Sequence, residues 1–266
     1  VSIFVGVPAV MELLLDGASL SDLASVRAFI CGGAVLKKEL GERFAAWSRK
    51  PLLDGYGLSE TSPVVSFNRP GKTRFGTIGI PIRDVEVAIL DPQGQELPPG
   101  ETGEIAVRGP NVMLGYLNQE KATERAFRYG WFHTEDVGFF DQEGFLHLVD
   151  RLKDLIISSG ENIYPREVEQ VLLQYPGVAE AAVIGYPDPL RGQSAAAWVV
   201  PEAGTAVDLR ALRRYLLDRI APYKIPKKYF LARELPRTGL GKVRKNVLQE
   251  ETLKLLEKNR TAGRAL

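Results

Sequence analysis

The chain has 266 residues, 45% of them hydrophobic and 25% charged, with a formal net charge of +1. That length buries the cores of two domains or of one large one, and the composition is that of an ordinary globular protein. The near-zero net charge excludes a whole-surface polyanion binder, the single cysteine excludes a disulfide framework, and two histidines with one cysteine exclude a zinc site of the usual make-up. No apolar run approaches the ~20 residues of a membrane span, and no signal peptide is visible. With Cys31 expected as a buried, inert thiol in VRAFICGG, a reducing cytoplasmic compartment fits. The chain starts on Val1 inside an apolar stretch, as a fragment would.

Residues 1–56 alternate helix and strand patterns. A short helix is predicted over Pro8 to Leu15 and a buried strand over Val26 to Cys31, ending at Gly32-Gly33. Leu36, Leu40, Phe44 and Trp47 recur at helical spacing, and a short strand leads into Gly55. Strand, helix, strand implies a parallel α/β layer whose ligands sit at the carboxyl ends of the strands. Gly32-Gly33 and Gly55-Tyr56-Gly57 both emerge there.

From 64 to 149 the pattern becomes period-two. VEVAIL at 85–90, GEIAVRG at 103–109, GWFHTEDVGFF and GFLHLVD alternate, separated by turn formers at Asp91-Pro92, Pro98-Pro99-Gly100 and Asp141 to Gly144. A small antiparallel sheet or open barrel is expected. After Asp150-Arg151, RLKDLIISSGENIYP leads into a helix with Pro165 in its first turn and Val168, Val171, Leu172 and Tyr175 inward. Strands at 178–185 and 194–200 follow. A helix capped by Asp208 then buries Leu209, Leu212, Leu216 and Ile220, and a helix over 247–258 closes an α+β module.

Three polar segments carry the chemistry. In PRTGLGKVRKN, Pro236 to Asn246, Lys242 stands behind a glycine in a loop dense with positive charge. From Tyr223 to Leu266 there are twelve Lys and Arg against four Asp and Glu, a local excess of eight positive charges. Taken alone, this is either a solvated basic face or a site for a phosphate or carboxylate. No nucleic-acid-binding motif accompanies it, which favours a small phosphorylated ligand. In DGYGLSETSP the glycines admit close backbone approach, Tyr56 offers a ring face, and Ser59, Glu60 and Thr61 offer oxygens. A lone glutamate among hydroxyls suits a magnesium ion shared with phosphate; a polar turn is the alternative. In HTEDVG, Asp136 stands at the end of an apolar strand, where it either accepts from two ribose hydroxyls or caps a turn. His133 and His147 are expected to face solvent or their sheet neighbours.

In chain order GGAVL, DGYGLSETSP, GTIGIP, GEIAVRGPNVMLGYLN, GWFHTEDVG, VDRLKDLIISSGENIYPREVE and PRTGLGKVRKN resemble the AMP-binding, acyl-adenylate-forming family, and the bacterial medium- and long-chain fatty-acyl-CoA ligases within it. The resemblance covers essentially the whole chain. It implies a mixed α/β and α+β fold. Residues 1–150 would be the C-terminal part of a large domain, with 1–63 an α/β layer and 64–149 a β-barrel-like part. Residues 151–266 would be a mobile C-terminal domain.

The implied chemistry is attack of a carboxylate on the α-phosphate of ATP, giving an acyl-adenylate and pyrophosphate, then transfer of the acyl group to the thiol of coenzyme A, with Mg2+ as cofactor. Carried over residue by residue, Lys242 matches the lysine that stabilises charge between carboxylate and α-phosphate. Tyr56 matches the adenine-stacking aromatic, with Gly33 and Ala34 as the other wall, beside Gly55 and Gly57 of the same segment. Ser59 matches the phosphate-contacting hydroxyl and Glu60 the magnesium carboxylate, while Asp136 and Arg151 match the ribose-binding pair. Lys153 matches the hinge position and Gly160 the pantetheine tunnel. Tyr223, Lys224 and Lys227 lie where CoA phosphates are met, or form a solvated basic face.

The family's glycine-rich phosphate loop and half of its large domain lie upstream of GGAVL and are not in this chain. The expectation is therefore the C-terminal half of a longer ligase, inactive alone. Its partners would be small molecules, without nucleic acid, with peripheral membrane contact through fatty-acid supply; the oligomeric state is open. The alternatives are a catalytically incomplete half that binds nucleotide, CoA or a partner, and an adenylation domain that loads a carrier protein. Two positions depart from the family pattern: Glu135, where glycine is usual, and Val35, where proline is common.

Overall fold

The computed structural model describes residues 1–239 and 242–262, which divide into two compact units, Val1–Leu148 and Val149–Leu266. The first unit opens with β1 (Ile3–Gly6), α1 (Pro8–Gly17), β2 (Ala28–Cys31), α2 (Lys38–Ser48) and β3 (Leu52–Tyr56). The three strands pair in parallel, Phe4 opposite Phe29 and Phe29 opposite Leu52. Parallel neighbours need a crossover long enough for a helix, which α1 and α2 supply. Met11 and Phe44 pack from these helices onto Phe29 and Leu52. Leu36 lies ahead of α2 yet is buried in the same cluster.

Two short strands within the period-two region, β4 (Ser66–Phe67) and β5 (Ile80–Pro81), extend this first sheet in antiparallel fashion. The second sheet is built from β6 (Glu86–Leu90), β7 (Gly103–Arg108), β8 (Phe127–Arg128), β9 (Trp131–Phe140) and β10 (Leu146–Arg151), with α3 (Glu120–Ala126) ahead of β8. Its order is β10-β9-β7-β6, with β8 against β9. One face of this open sheet packs Ile105, Val107 and Phe132 against Tyr56, Val65 and Ile78 of the first sheet's border. Arg108 lays its guanidinium 4.5 Å from the Trp131 ring centre on the other face.

The second unit contains β11 (Ile156–Ser158), β12 (Glu161–Ile163), α4 (Pro165–Leu173), β13 (Val178–Asp188), β14 (Gly192–Pro201), α5 (Leu209–Leu217), β15 (Lys228–Leu231) and α6 (Lys245–Ala262). Its sheet runs β12-β11-β14-β13, with β15 parallel to β14. Successive residues of β13 and β14 face opposite sides. Val183, Ala197 and Val199 meet α4 and α5, whereas Ile184, Ala196 and Trp198 meet Leu248 of α6. Burial on both faces explains why AAVIGY and AAAWVV read as nearly unbroken apolar runs. The Asp208 side chain accepts from the N–H of Arg210 at 2.8 Å, the cap expected of it. Tyr175 and Ile220 lie beyond the ends of α4 and α5, although both pack on the expected core. The last helix runs Lys245–Ala262, longer than the 247–258 its pattern predicts.

Candidate active site

The loops after β2 and β3 leave the same end of the parallel sheet. The N–H of Gly32 bonds to the Gly6 carbonyl at 3.2 Å, and Gly33 turns the chain at φ +75°, leaving Gly33, Ala34 and Val35 exposed. After Tyr56 the backbone nearly touches itself. A Cβ on Gly57 would stand 1.6 Å from the Pro63 carbonyl oxygen, so only glycine fits. Gly55 is similarly confined, by the ring of Phe67. Thr61 is fully buried and closes the turn. Its Oγ1 accepts from the N–H of Leu58 and donates to the Leu58 carbonyl, both at 3.0 Å. Thr61 therefore offers no oxygen to a ligand, contrary to the sequence expectation. Ser59 is exposed and Glu60 half-buried beside it.

Tyr56 and Asp136 meet at this end of the first unit. The tyrosine hydroxyl donates to Asp136 Oδ2 at 2.7 Å, and both residues are buried. Most of the Tyr56 ring belongs to the apolar cluster with Val65 and Ile78. Asp136 lies in the middle of β9, not at a strand end. It follows a break in register: Glu104 pairs with Val137 but Ala106 pairs with His133, so Thr134, Glu135 and Asp136 share Ile105 as their one counterpart. Within this bulge Glu135 adopts φ +59° and is exposed. A β-bulge is a recurrent means of re-aiming a side chain out of a ladder.

Glu60 has its own support. The phenol of Tyr116 donates to Glu60 Oε1 at 3.1 Å, and the N–H of Met113 bonds to the Glu60 carbonyl at 2.8 Å. Asn111 Nδ2 ties the same loop to the carbonyls of Thr61 and Val64 at 2.9 and 2.8 Å. Burial pushes the Tyr116 phenol above its ordinary value, and the Glu60 carboxylate, which favours the protonated phenol, adds to the shift. Among the described residues no group of three or more His, Cys, Asp or Glu side chains converges as a metal cage. A lone, half-buried carboxylate whose one oxygen is held by a phenol fits Mg2+, which commonly takes one or two protein carboxylates and completes its shell with phosphate and water.

The remaining expected residues belong to the second unit. Arg151 ends β10 and Lys153 stands in a single 3-10 turn, Leu152–Asp154; both are exposed. The buried Asp150 anchors this stretch, accepting from the N–H of Arg151 and from that of Arg166 in the first turn of α4, each at 2.8 Å. Ser159 (φ +54°) and Gly160 (φ +86°) form the two-residue turn between β11 and β12.

Tyr223 is exposed, and so is Lys227, immediately ahead of β15. Lys224, by contrast, is only 18% exposed and donates to both oxygens of Glu167 at 2.6 and 2.7 Å. Burial alone would lower this ammonium, but the Glu167 hydrogen bonds and charge hold it above the usual lysine value. A freely solvated Lys224 is thus corrected to an ion pair within the unit. Lys242 is exposed, at the base of the turn after β15. The N–H of Thr238 bonds to the Lys242 carbonyl at 2.8 Å, the N–H of Lys242 to Thr238 Oγ1 at 3.2 Å, and the N–H of Arg244 to the Pro236 carbonyl at 2.7 Å. Leu240 and Gly241 of the PRTGLGK stretch lie outside the described residues.

His133 is buried, with Nδ1 2.7 Å from Glu104 Oε2, so it faces sheet neighbours and not solvent. His147 bonds to Asp141 at 2.9 Å and stacks on Phe139. Cys31 is fully buried, and burial pushes its thiol up to about 12. Tyr116, Asn111, Thr134 and Glu104 are site-supporting residues that sequence reasoning did not single out. Each sits inside a strand or loop pattern and acts on a partner far along the chain, and only the polar residue in an apolar context hinted at them.

The family model of the AMP-binding enzyme matches residues 1–117, and that of the AMP-binding enzyme C-terminal domain matches residues 167–242. The chain is 42% identical over 256 residues to a long-chain-fatty-acid–CoA ligase of Bacillus subtilis, covering 94% of this chain and 46% of that protein. It is 45% identical over 227 residues to a feruloyl-CoA synthase of an Amycolatopsis species, covering 85% of this chain and 46% of that protein. Among solved structures, the o-succinylbenzoate coenzyme A synthetase of Bacillus subtilis in complex with ATP and magnesium ion superposes with a TM-score of 0.81 at 39% identity, covering 92% of this chain and 51% of that one. The chain spans about half the length of the curated relatives it matches. No helix among the described residues is long and apolar enough to cross a membrane.

Proposed function

Because the chain belongs to the AMP-binding enzyme family, we propose that it is the C-terminal half of an acid–thiol ligase that activates a carboxylic acid, a fatty acid first among candidates, as its acyl-adenylate and passes it to CoA. The observation that carries this reading is the buried Tyr56–Asp136 pair at the carboxyl end of the parallel sheet, within a chain whose two parts match the two family models in order.

In this reading Tyr56, with Gly33 and Ala34 opposite and Gly55 and Gly57 opening the backbone, borders the adenine. Asp136 accepts from the ribose hydroxyls, paired with Arg151, and Ser59 contacts phosphate. Glu60 holds Mg2+, which when bound supplies charge neutralisation at the phosphates. The carboxylate of the acid attacks the α-phosphate and expels pyrophosphate. Lys242, a point charge, stabilises the negative charge that builds on the oxygens between them, a contribution typically worth several kcal/mol in a dry site. The CoA thiol then attacks the acyl carbonyl, forming the thioester and releasing AMP. Lys153 is the pivot between the two steps. Gly160, Tyr223, Lys224 and Lys227 border CoA, Lys224 while it is held by Glu167. Soluble operation in the cytoplasm, with fatty acid drawn from a membrane surface, completes the proposal.

The chain's coverage of about half of its relatives supports a second reading for these residues in isolation: nucleotide or CoA binding without turnover. ATP–pyrophosphate exchange on this chain, run in parallel with fatty acids and with aromatic acids such as ferulate, separates them. Acid-dependent exchange establishes adenylation by the chain itself, and the better acid assigns the acyl class. AMP or CoA binding without exchange supports the second reading, and the absence of exchange and of binding to either overturns it.

A further inference from the structure

We propose that Glu104 is the positioning residue for Asp136, acting through the bulge that it ties down at Glu135. The proposal rests on the reading of Asp136 as the ribose-binding carboxylate. The bulge sets three residues of β9 against Ile105 alone, and at its centre Glu135 takes φ +59°, a left-handed conformation that strains a residue with a side chain.

An irregularity of this kind persists only if its surroundings hold it, and two side chains do so. Thr134 Oγ1 donates to the Ile105 carbonyl at 2.7 Å and accepts from the N–H of Asp136 at 3.1 Å, standing in for ladder bonds that the bulge has removed. Glu104 Oε1 accepts from the N–H of Glu135 at 3.1 Å. The other carboxylate oxygen is fixed from behind, 2.7 Å from His133 Nδ1 and 3.6 Å from the Arg128 guanidinium, and the side chain is only 10% exposed. Glu104 is thus a rigid bracket between the sheet and the strained peptide. Were the ladder to continue in the register that sets Glu104 opposite Val137, Asp136 would become an ordinary residue opposite Ile105. Its carboxylate reaches the Tyr56 hydroxyl from within the bulge, so the bracket sets the place at which that carboxylate is offered.

The test uses the full chain, amide exchange by NMR and titration with AMP. Glu104→Ala should speed exchange of the Glu135 amide and weaken AMP binding by about tenfold, the scale of one lost hydrogen bond to a charged group. Glu104→Gln, which keeps an acceptor oxygen, should stay close to wild type and guards against a failure of the alanine variant to fold. Adding Glu135→Gly to Glu104→Ala should restore most of the affinity, because glycine adopts this φ without strain. A merely structural loss of the His133–Arg128 cluster would not be repaired by that glycine. Asp136→Ala is the control. If it abolishes binding while Glu104→Ala binds as wild type, or the glycine fails to rescue, the proposal is overturned. If Asp136→Ala binds AMP normally, or the wild-type chain does not bind AMP, the ribose reading fails, and an unchanged Glu135 amide in Glu104→Ala overturns the bracket separately.

Discussion

The hydroxyl of Tyr56 and the carboxylate of Asp136, eighty residues apart in sequence, are joined by a 2.7 Å hydrogen bond in which both partners are buried. The bond links the end of the parallel sheet to the bulge of the antiparallel one. A buried carboxylate that loses such a donor bears most of its desolvation cost. Tyr56→Phe keeps the ring in its apolar cluster and removes only the oxygen. It should lower the unfolding free energy of the chain by about 2 kcal/mol, read as a shift in the urea midpoint at constant slope. A phenylalanine variant as stable as wild type would show that the bond contributes nothing net.

Gly57 should tolerate no side chain. A methyl group there would meet the Pro63 carbonyl oxygen at 1.6 Å, a backbone atom that cannot move without opening the turn closed by Thr61. Gly57→Ala should cost upwards of about 3 kcal/mol or prevent folding. Gly17→Ala, at the end of α1 with nothing within 4 Å of the new carbon, should be neutral or slightly stabilising. Equal effects at the two sites would refute the close approach.

Tyr116 reports on Glu60. Burial and the adjacent carboxylate both raise the phenol, so removing the negative charge should bring it down towards, but not to, its ordinary value of 10.0. Spectrophotometric titration of Glu60→Gln, with Tyr116→Phe identifying which of the nine tyrosines is followed, measures this directly. An unmoved Tyr116 transition in the glutamine variant would mean that the contact is absent in solution.

Lys224 and Glu167 form an ion pair whose pH dependence has a definite sign. The folded-state lysine sits above its ordinary 10.5, so its contribution to stability is fully present below that value and is lost as pH rises through the higher folded one. Glu167 is 37% exposed, so solvent screening limits the coupling to about 1 kcal/mol. A double-mutant cycle with Lys224→Met and Glu167→Gln at neutral pH should give that coupling. Repeating the cycle well above pH 10.5 should abolish it. Coupling that persists at high pH, or is absent at neutral pH, would contradict the pairing.

Most elements of eight or more residues were legible from periodicity. The stripe of Leu40, Phe44 and Trp47 identified α2, Asp208 marked the start of α5, and the apolar runs at 178–185 and 194–200 marked the strands β13 and β14, whose burial on both faces the structure added. The two-residue strands β4, β5 and β8 have too few positions to show a period, and α3 has no buried residue to create a stripe. Lys224 was legible as a positive charge but not as half of an ion pair, because Glu167 lies 57 residues away on another element.

The resemblance carried by the ordered motifs implied adenylate chemistry at Tyr56, Glu60, Asp136 and Lys242, and residue type and order along the chain were enough to assign an α/β layer, a small antiparallel sheet and an α+β module. Local rules suffice there, since capping, period and motif spacing act within a few residues. The tertiary structure alone decided that Asp136 leaves the ladder in a bulge, that Tyr56 spends its hydroxyl on it, that Glu104 accepts from the N–H of Glu135 within the bulge, and that Tyr116 donates to Glu60. Each of these is a polar contact spanning 31 to 80 residues. Such contacts form where packing brings strands together, and they leave no periodic trace in the chain that makes them.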